Sequence, residues 1–239
     1  MVTRFLSMAI AALCLNGLAN ADFPPLPDLS DYAEEIAGWE EDIAKLEALD
    51  QESADHPGAV LLIGSSSIRK WTTAAEDLTP HAVIRRGYGG AKYSDVAYYA
   101  KRLITPHRFK AVVVFVGNDI RGLDDDKQPA EVGELFAYVA DVIHAHQPQA
   151  QIVCVDVRPC PSRFKAWDQI KAANAAQRAA CDERPFAHYL DTSPAYLTTD
   201  GTAAREDLYG KDRLHLSPAG YRLWSSQIKA KLDEVLAEQ

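Results

Sequence analysis

The chain has 239 residues, 47% of them hydrophobic and 25% charged, with a formal net charge of −9. That make-up fits one α/β-sized domain with a well-filled core and leaves no length for a second full domain. An acidic chain without a dense Lys/Arg cluster argues against nucleic acid or an anionic membrane surface as partner, and suits a small neutral or cationic substrate.

Residues 1–21, MVTRFLSMAIAALCLNGLANA, carry a cationic Arg4 and then an apolar run that ends in the small-x-small pattern Ala19-Asn20-Ala21. The pattern predicts a secretory signal peptide, hence a secreted or periplasmic protein with no stable membrane insertion after cleavage. Asn16 and Gly17 interrupt the run, which is short for a membrane span. Cys14 lacks the small residues that a lipidation box needs before it. Beyond the signal stand Cys154, Cys160 and Cys181. An odd count in an oxidising compartment allows one disulfide and one free thiol. Cys154, inside the apolar run QIVCVDV, is expected to be buried, so Cys160 and Cys181 are the two that a disulfide across a helix could join. None has the spacing of a metal site.

Residues 22–57 form a lead-in, first the proline-rich DFPPLPDLS and then an amphipathic helix from about Ser30 to Ser53. Its apolar face is Tyr32, Ile36, Trp39, Ile43, Leu46 and Leu49, at helical spacing. Residues 58–239 then alternate strands and helices. The expected strands are Val60–Gly64, Ala82–Arg85, Ala111–Val116, Gln151–Val157 and His188–Leu190. Helical periodicity falls at Tyr93–Leu103, Ala130–His146 and Arg163–Cys181, with a last helix from Pro218 to about Leu236. Such alternation builds βαβ units and a parallel sheet covered on both faces. In an open parallel sheet of order 2-1-3-4-5, ligands bind where the winding reverses, beyond the first and third strands. GSSS at 64–67 and GNDI at 117–120 would sit side by side there.

Near the end stands DRLHLSPAGY, residues 212–221. Ser217 and Pro218 are an N-cap and a first-turn proline. In the loop before them, the spacing of Asp212 and His215 lets the carboxylate hold one ring nitrogen while the other takes a proton. A serine at the end of the first strand would complete a nucleophile, base and orienter. His144 and His146, two apart on a helix, make a poor metal pair. No G-x-S-x-G elbow occurs.

In chain order, LLIGSSSI, RRGYGG, VFVGNDI and DRLHLSPAGY resemble the four sequence blocks of the SGNH hydrolases, or GDSL esterase/lipase superfamily, from about residue 59 onward. The GSSS start and the helix before it resemble a bacterial subfamily. The resemblance implies a flavodoxin-like three-layer αβα sandwich around a five-stranded parallel sheet. It makes Ser66 the nucleophile, His215 the base and Asp212 its orienter. The oxyanion hole would be the backbone N–H groups of Ser66 and Gly90, with Gly87 as the alternative glycine, and the side chain of Asn118. Ser65 replaces the usual aspartate of the first block, and Val116 the glycine that commonly begins the third. Asp119 is expected to hold its loop, and LDDD at 123–126 to form a solvated turn. Arg69, Trp71, Tyr88, Arg158 and Trp167 are candidates to line a pocket.

The activity implied is hydrolysis of small acyl esters, acetyl or short-chain, on a small molecule or carbohydrate, without metal or cofactor. A lipid ester hydrolase of lysophospholipase type and an acyltransferase share this chemistry. A non-catalytic carbohydrate-binding module is the rival of a different class, and it would have no need of the whole set.

Overall fold

The computed structural model describes residues 22–51 and 58–237. The expected signal peptide lies outside the described residues, among which no helix is long and apolar enough to cross a membrane.

β-Branched and aliphatic runs make the five strands: β1 (Ala59–Gly64), β2 (Val83–Gly87), β3 (Phe109–Phe115), β4 (Gln151–Val155) and β5 (Ala187–Leu190). All neighbours pair in parallel, in the order β2-β1-β3-β4-β5. This is the expected topology of a three-layer α/β sandwich. Side chains alternate across the sheet, so each strand feeds two cores. Leu61, Ile63, Val112, Val114, Ile152 and Cys154 face one, and Val60, Leu62, Val113, Phe115, Val153 and Val155 the other. Burial of each such side chain contributes about 1.5–3 kcal/mol. A polar residue in β1, or in β3 from Ala111 onward, would therefore meet an apolar layer on either face.

The first core is covered by α5 (Tyr93–Ile104), α6 (Pro129–His146) and α7 (Trp167–Asp182), and the second by α8 (Pro218–Ala237). The short α3 (Ser66–Lys70) and α4 (Ala74–Asp77) complete the second side. Helix α8 starts as its sequence implies, with Gly220 N–H donating to Ser217 Oγ at 3.2 Å. The expected helix at Arg163–Cys181 opens instead with a 3-10 segment, Pro161–Ala166, before α7.

The lead-in is not one helix. It breaks at Gly38 into α1 (Ala33–Ala37) and α2 (Glu40–Ala48). Trp39, at the break, packs on Tyr88 with ring centroids 5.4 Å apart. Its ring also lies where a Cβ on Gly90 would be, with Cη2 at 2.9 Å. The interruption thus lets the lead-in brace the loop after β2.

Cys154, Cys160 and Cys181 are all free and buried, so the pairing of Cys160 with Cys181 does not form. The sheet separates them: Cys181 packs with Cys154 in the first core, and Cys160 belongs to the second.

Candidate active site

The strand register brings Gly64 of β1 level with Gly87 of β2 and Phe115 of β3. The chain leaves the sheet at Gly64, where φ is 130° and a Cβ would lie 1.9 Å from the Phe115 carbonyl oxygen. Glycine alone tolerates that conformation and that approach. Ser65 stays extended, donates its N–H to the Phe115 carbonyl at 2.9 Å and is buried. Ser66 is then the first residue of α3, so its N–H has no partner within the helix. Gly87, the alternative glycine, lies inside the ladder, where a Cβ would meet Ile68 at 2.6 Å.

A tight loop delivers His215. Tyr209 and Leu216 form an antiparallel bridge, Gly210 N–H donates to the His215 carbonyl at 2.8 Å, and Arg213 takes a φ of 57° between them. Asp212 Oδ1 accepts the N–H groups of Leu214 and His215 at 3.1 and 2.9 Å. That fixes the carboxylate and leaves Oδ2 to take His215 Nδ1 at 2.6 Å. His215 Nε2 in turn lies 2.9 Å from Ser66 Oγ. Lys70 Nζ stands 3.1 Å from Nδ1. An ammonium only donates, so Nδ1 cannot serve it as acceptor while donating to Asp212. The shorter contact to an anion places the proton on Nδ1 and leaves Nε2 as acceptor toward Ser66. Burial opposes the charge on Asp212, but the His215 side chain and the two backbone N–H groups outweigh it and hold the carboxyl well below the usual carboxylate range.

Across the cavity, Asn118 is held from both ends of its amide. Its Nδ2 donates to the Ala91 carbonyl at 3.0 Å, and its Oδ1 accepts from Arg163 Nη2 at 3.0 Å. Arg163 also donates through Nη1 to the Gly117 carbonyl at 2.6 Å. These partners fix which end of the amide is the donor and leave its second N–H unspent. Gly90, with a φ of 82°, adjoins the Ala91 carbonyl that Asn118 holds, but is not itself in the cavity wall. Asp119 takes the N–H of Tyr93 at 2.9 Å, tying the loop after β3 to the start of α5. In the aspartate-rich turn, Asp126 Oδ2 accepts three successive backbone N–H groups, from Arg121, Gly122 and Leu123.

Ser66, Asn118 and His215 share a cavity of ≈ 30 Å³. Among the five pocket candidates only Arg158 is in its wall. Trp71 packs on Trp224 in the second core, Trp167 belongs to the first core, and Tyr88 is buried between Trp39 and Asp95. Arg69 stands over Gly89, where a Cβ would meet its guanidinium. Sequence reasoning missed Arg163. Its sole signal is a position soon after the fourth strand, and only the folded loop shows what it holds.

Residues 63–223 match the sequence pattern of the GDSL-like Lipase/Acylhydrolase family. The chain belongs to that family. It is 30% identical over 194 residues to platelet-activating factor acetylhydrolase IB subunit alpha1 of Pongo abelii, a match covering 78% of this chain and 80% of that protein. A Streptococcus pneumonia protein shares the fold, with a TM-score of 0.72 at 18% identity, over 85% of this chain and 99% of that one. A carbohydrate esterase family 3 structure from Talaromyces cellulolyticus does so at a TM-score of 0.60 and 15% identity, over 76% and 99%. A GDSL-like acylhydrolase is an ester hydrolase, and the GDSL fold here places a serine, a histidine and an aspartate in one hydrogen-bonded line at the cavity.

Proposed function

We propose that this GDSL-like acylhydrolase is a serine esterase of small acyl groups, with Ser66 as nucleophile, His215 as general base and Asp212 as orienter. The observation that carries the reading is the continuous chain Ser66 Oγ–His215 Nε2, 2.9 Å, and His215 Nδ1–Asp212 Oδ2, 2.6 Å.

Ser66 Oγ attacks the ester carbonyl carbon while His215 Nε2 takes its proton. The imidazolium so formed is stabilised by the ionised Asp212. Negative charge develops on the carbonyl oxygen, where the Ser66 N–H and the free Asn118 amide N–H act as donors; the expected Gly90 N–H lies outside the cavity wall. His215 returns the proton to the leaving alcohol, and the C–O bond to that alcohol breaks. Water, activated by the same imidazole, then attacks the acyl-serine and releases the carboxylic acid.

A cavity of ≈ 30 Å³ takes about two or three water-sized groups, which favours a short acyl chain over a fatty one. The name of the Pongo abelii relative, an acetylhydrolase, supports the same range. The resemblance to a carbohydrate esterase makes a sugar ester a suitable alcohol side. The test is hydrolysis of p-nitrophenyl acetate by the wild type and by Ser66→Ala. The variant is expected to lose turnover while keeping its circular dichroism spectrum; a folded variant that still turns over would overturn the assignment.

A further inference from the structure

The wall of the cavity carries a charge that the acyl-transfer steps do not use. Arg158 is 4% exposed. Its Nη2 donates to Ser67 Oγ at 3.1 Å, while Nε and Nη1 have no hydrogen-bond partner. Three rings surround the guanidinium, with their centroids 5.0 Å (Phe115), 5.6 Å (Tyr196) and 4.8 Å (Trp224) from Cζ. Aromatic faces attract a cation but accept no N–H bond in the plane of the guanidinium.

The buried carboxylate two residues earlier is not its counter-ion. Asp156 Oδ1 takes the Thr192 N–H and hydroxyl, and Oδ2 takes those of Ser193. Arg163, also in the cavity wall, spends its donors on the uncharged oxygens of Gly117 and Asn118. Two guanidinium groups thus border the cavity, and the more buried one has no anionic partner among the described residues. Buried charges are held in folded proteins by pairing, so a lone one beside a nucleophile marks a place for a ligand's anion.

Position says which part of a substrate that is. His215 must hand its proton to the leaving alcohol, so the alcohol lies on the side of His215 and the half-exposed Asp212, toward solvent. The acyl chain must then leave on the other side, and Ser67 and Arg158 are among the residues lining the cavity. We propose that Arg158 determines acyl specificity, and that the site takes a short acyl chain ending in a carboxylate, as in the half-ester of a small dicarboxylic acid. On this proposal the acyl group is anionic, whereas the net charge of the chain suggests a neutral or cationic substrate.

The inference rests on Ser66 being the nucleophile. With monoethyl malonate, Ser66 Oγ bonds to the ester carbonyl carbon and ethanol leaves with the proton carried by His215. Water then cleaves the malonyl-serine, giving malonate and one proton.

The test compares kcat/KM for monoethyl malonate with that for ethyl isovalerate, which has the same branched shape without charge. Wild type is expected to favour the malonate ester by at least about tenfold, as suits a charge-assisted hydrogen bond. Arg158→Met is expected to abolish or reverse that ratio, and the uncharged Arg158→Gln serves if the methionine variant does not fold. Overturning results would be a wild type that hydrolyses p-nitrophenyl acetate but shows no preference, or a folded Arg158→Met that keeps it. A larger gain for the acetyl ester of glycerol phosphate would put the anion on the alcohol side and overturn the acyl assignment. If p-nitrophenyl acetate is not hydrolysed at all, the esterase reading is what fails. The pocket is then tested by calorimetry of malonate with Ser66→Ala, where binding that Arg158→Met removes supports it and absence of binding overturns it.

Discussion

The two sides of the cavity hold aspartates in opposite ways. On the base side, Asp212 is half-exposed and receives two backbone N–H groups and an imidazole, which together keep it ionised. On the donor side, Asp119 and Asp95 are buried behind the loops that carry Asn118 and Gly90, and each leaves one oxygen without a partner. Burial pushes Asp119 up to about 6 against the pull of the Tyr93 N–H and of Lys127. Burial again, followed by the charge of Asp119, pushes Asp95 up to about 8. The difference teaches that hydrogen-bond donors and solvent, not residue type, decide which aspartate can steady an imidazolium. The base side needs a permanent charge; the donor side needs rigid neutral dipoles, and its carboxyls hold the loops.

The harshest way to break this contrast is to remove the charge from the base side. Asp212→Asn keeps the size but cannot hold the proton on Nδ1, and kcat for p-nitrophenyl acetate should fall by about 10³–10⁴. A fall of less than tenfold would show that the loop alone orients His215. A milder break is Arg163→Met on the donor side, which frees the Asn118 amide to turn. The cost should be about ten- to a hundredfold in kcat, less than the loss of an oxyanion donor outright, with KM little changed. An effect confined to KM would make Arg163 a substrate contact instead.

The smallest effect sharpens the contrast by pH. Asp95 and Asp119 have folded-state pKa values above the ordinary 3.8 of an aspartate. Their contribution to stability is therefore complete below about pH 4 and is lost as pH rises through about 6 and then about 8. The melting temperature should decline between pH 5 and pH 8, by about 2–4 °C for each kcal/mol lost in a chain of this size. Asp95→Asn, which cannot ionise, should flatten that decline. An unchanged slope would mean that Asp95 is already charged at pH 5.

Much of this was legible in the chain. Runs such as VVVFV have the β-branched density of strands buried on both faces, and strands alternating with helices implied a parallel sheet, whose order the family resemblance supplied. Asp212 and His215 were legible because a loop before a helix cap is a local signal, and the strand end pointed to a serine that only the family resemblance narrowed to Ser66. What escaped depends on tertiary placement. Helices α3 and α4 span five and four residues, too short for a period. The break at Gly38 and the reach of Trp39 to the Gly90 loop join segments about fifty residues apart. Cys160 and Cys181 looked pairable until the sheet put them in different cores. Arg163 and the isolation of Arg158 emerge only when the loop after β4 folds against the loop after β3.

The central claim is that one of three adjacent serines is the activated nucleophile. Intact-mass and peptide mapping after treatment with a fluorophosphonate tests it most directly. The account predicts a single adduct on Ser66, lost in His215→Ala. An adduct on Ser65 or Ser67, or no adduct in protein that hydrolyses p-nitrophenyl acetate, would contradict it.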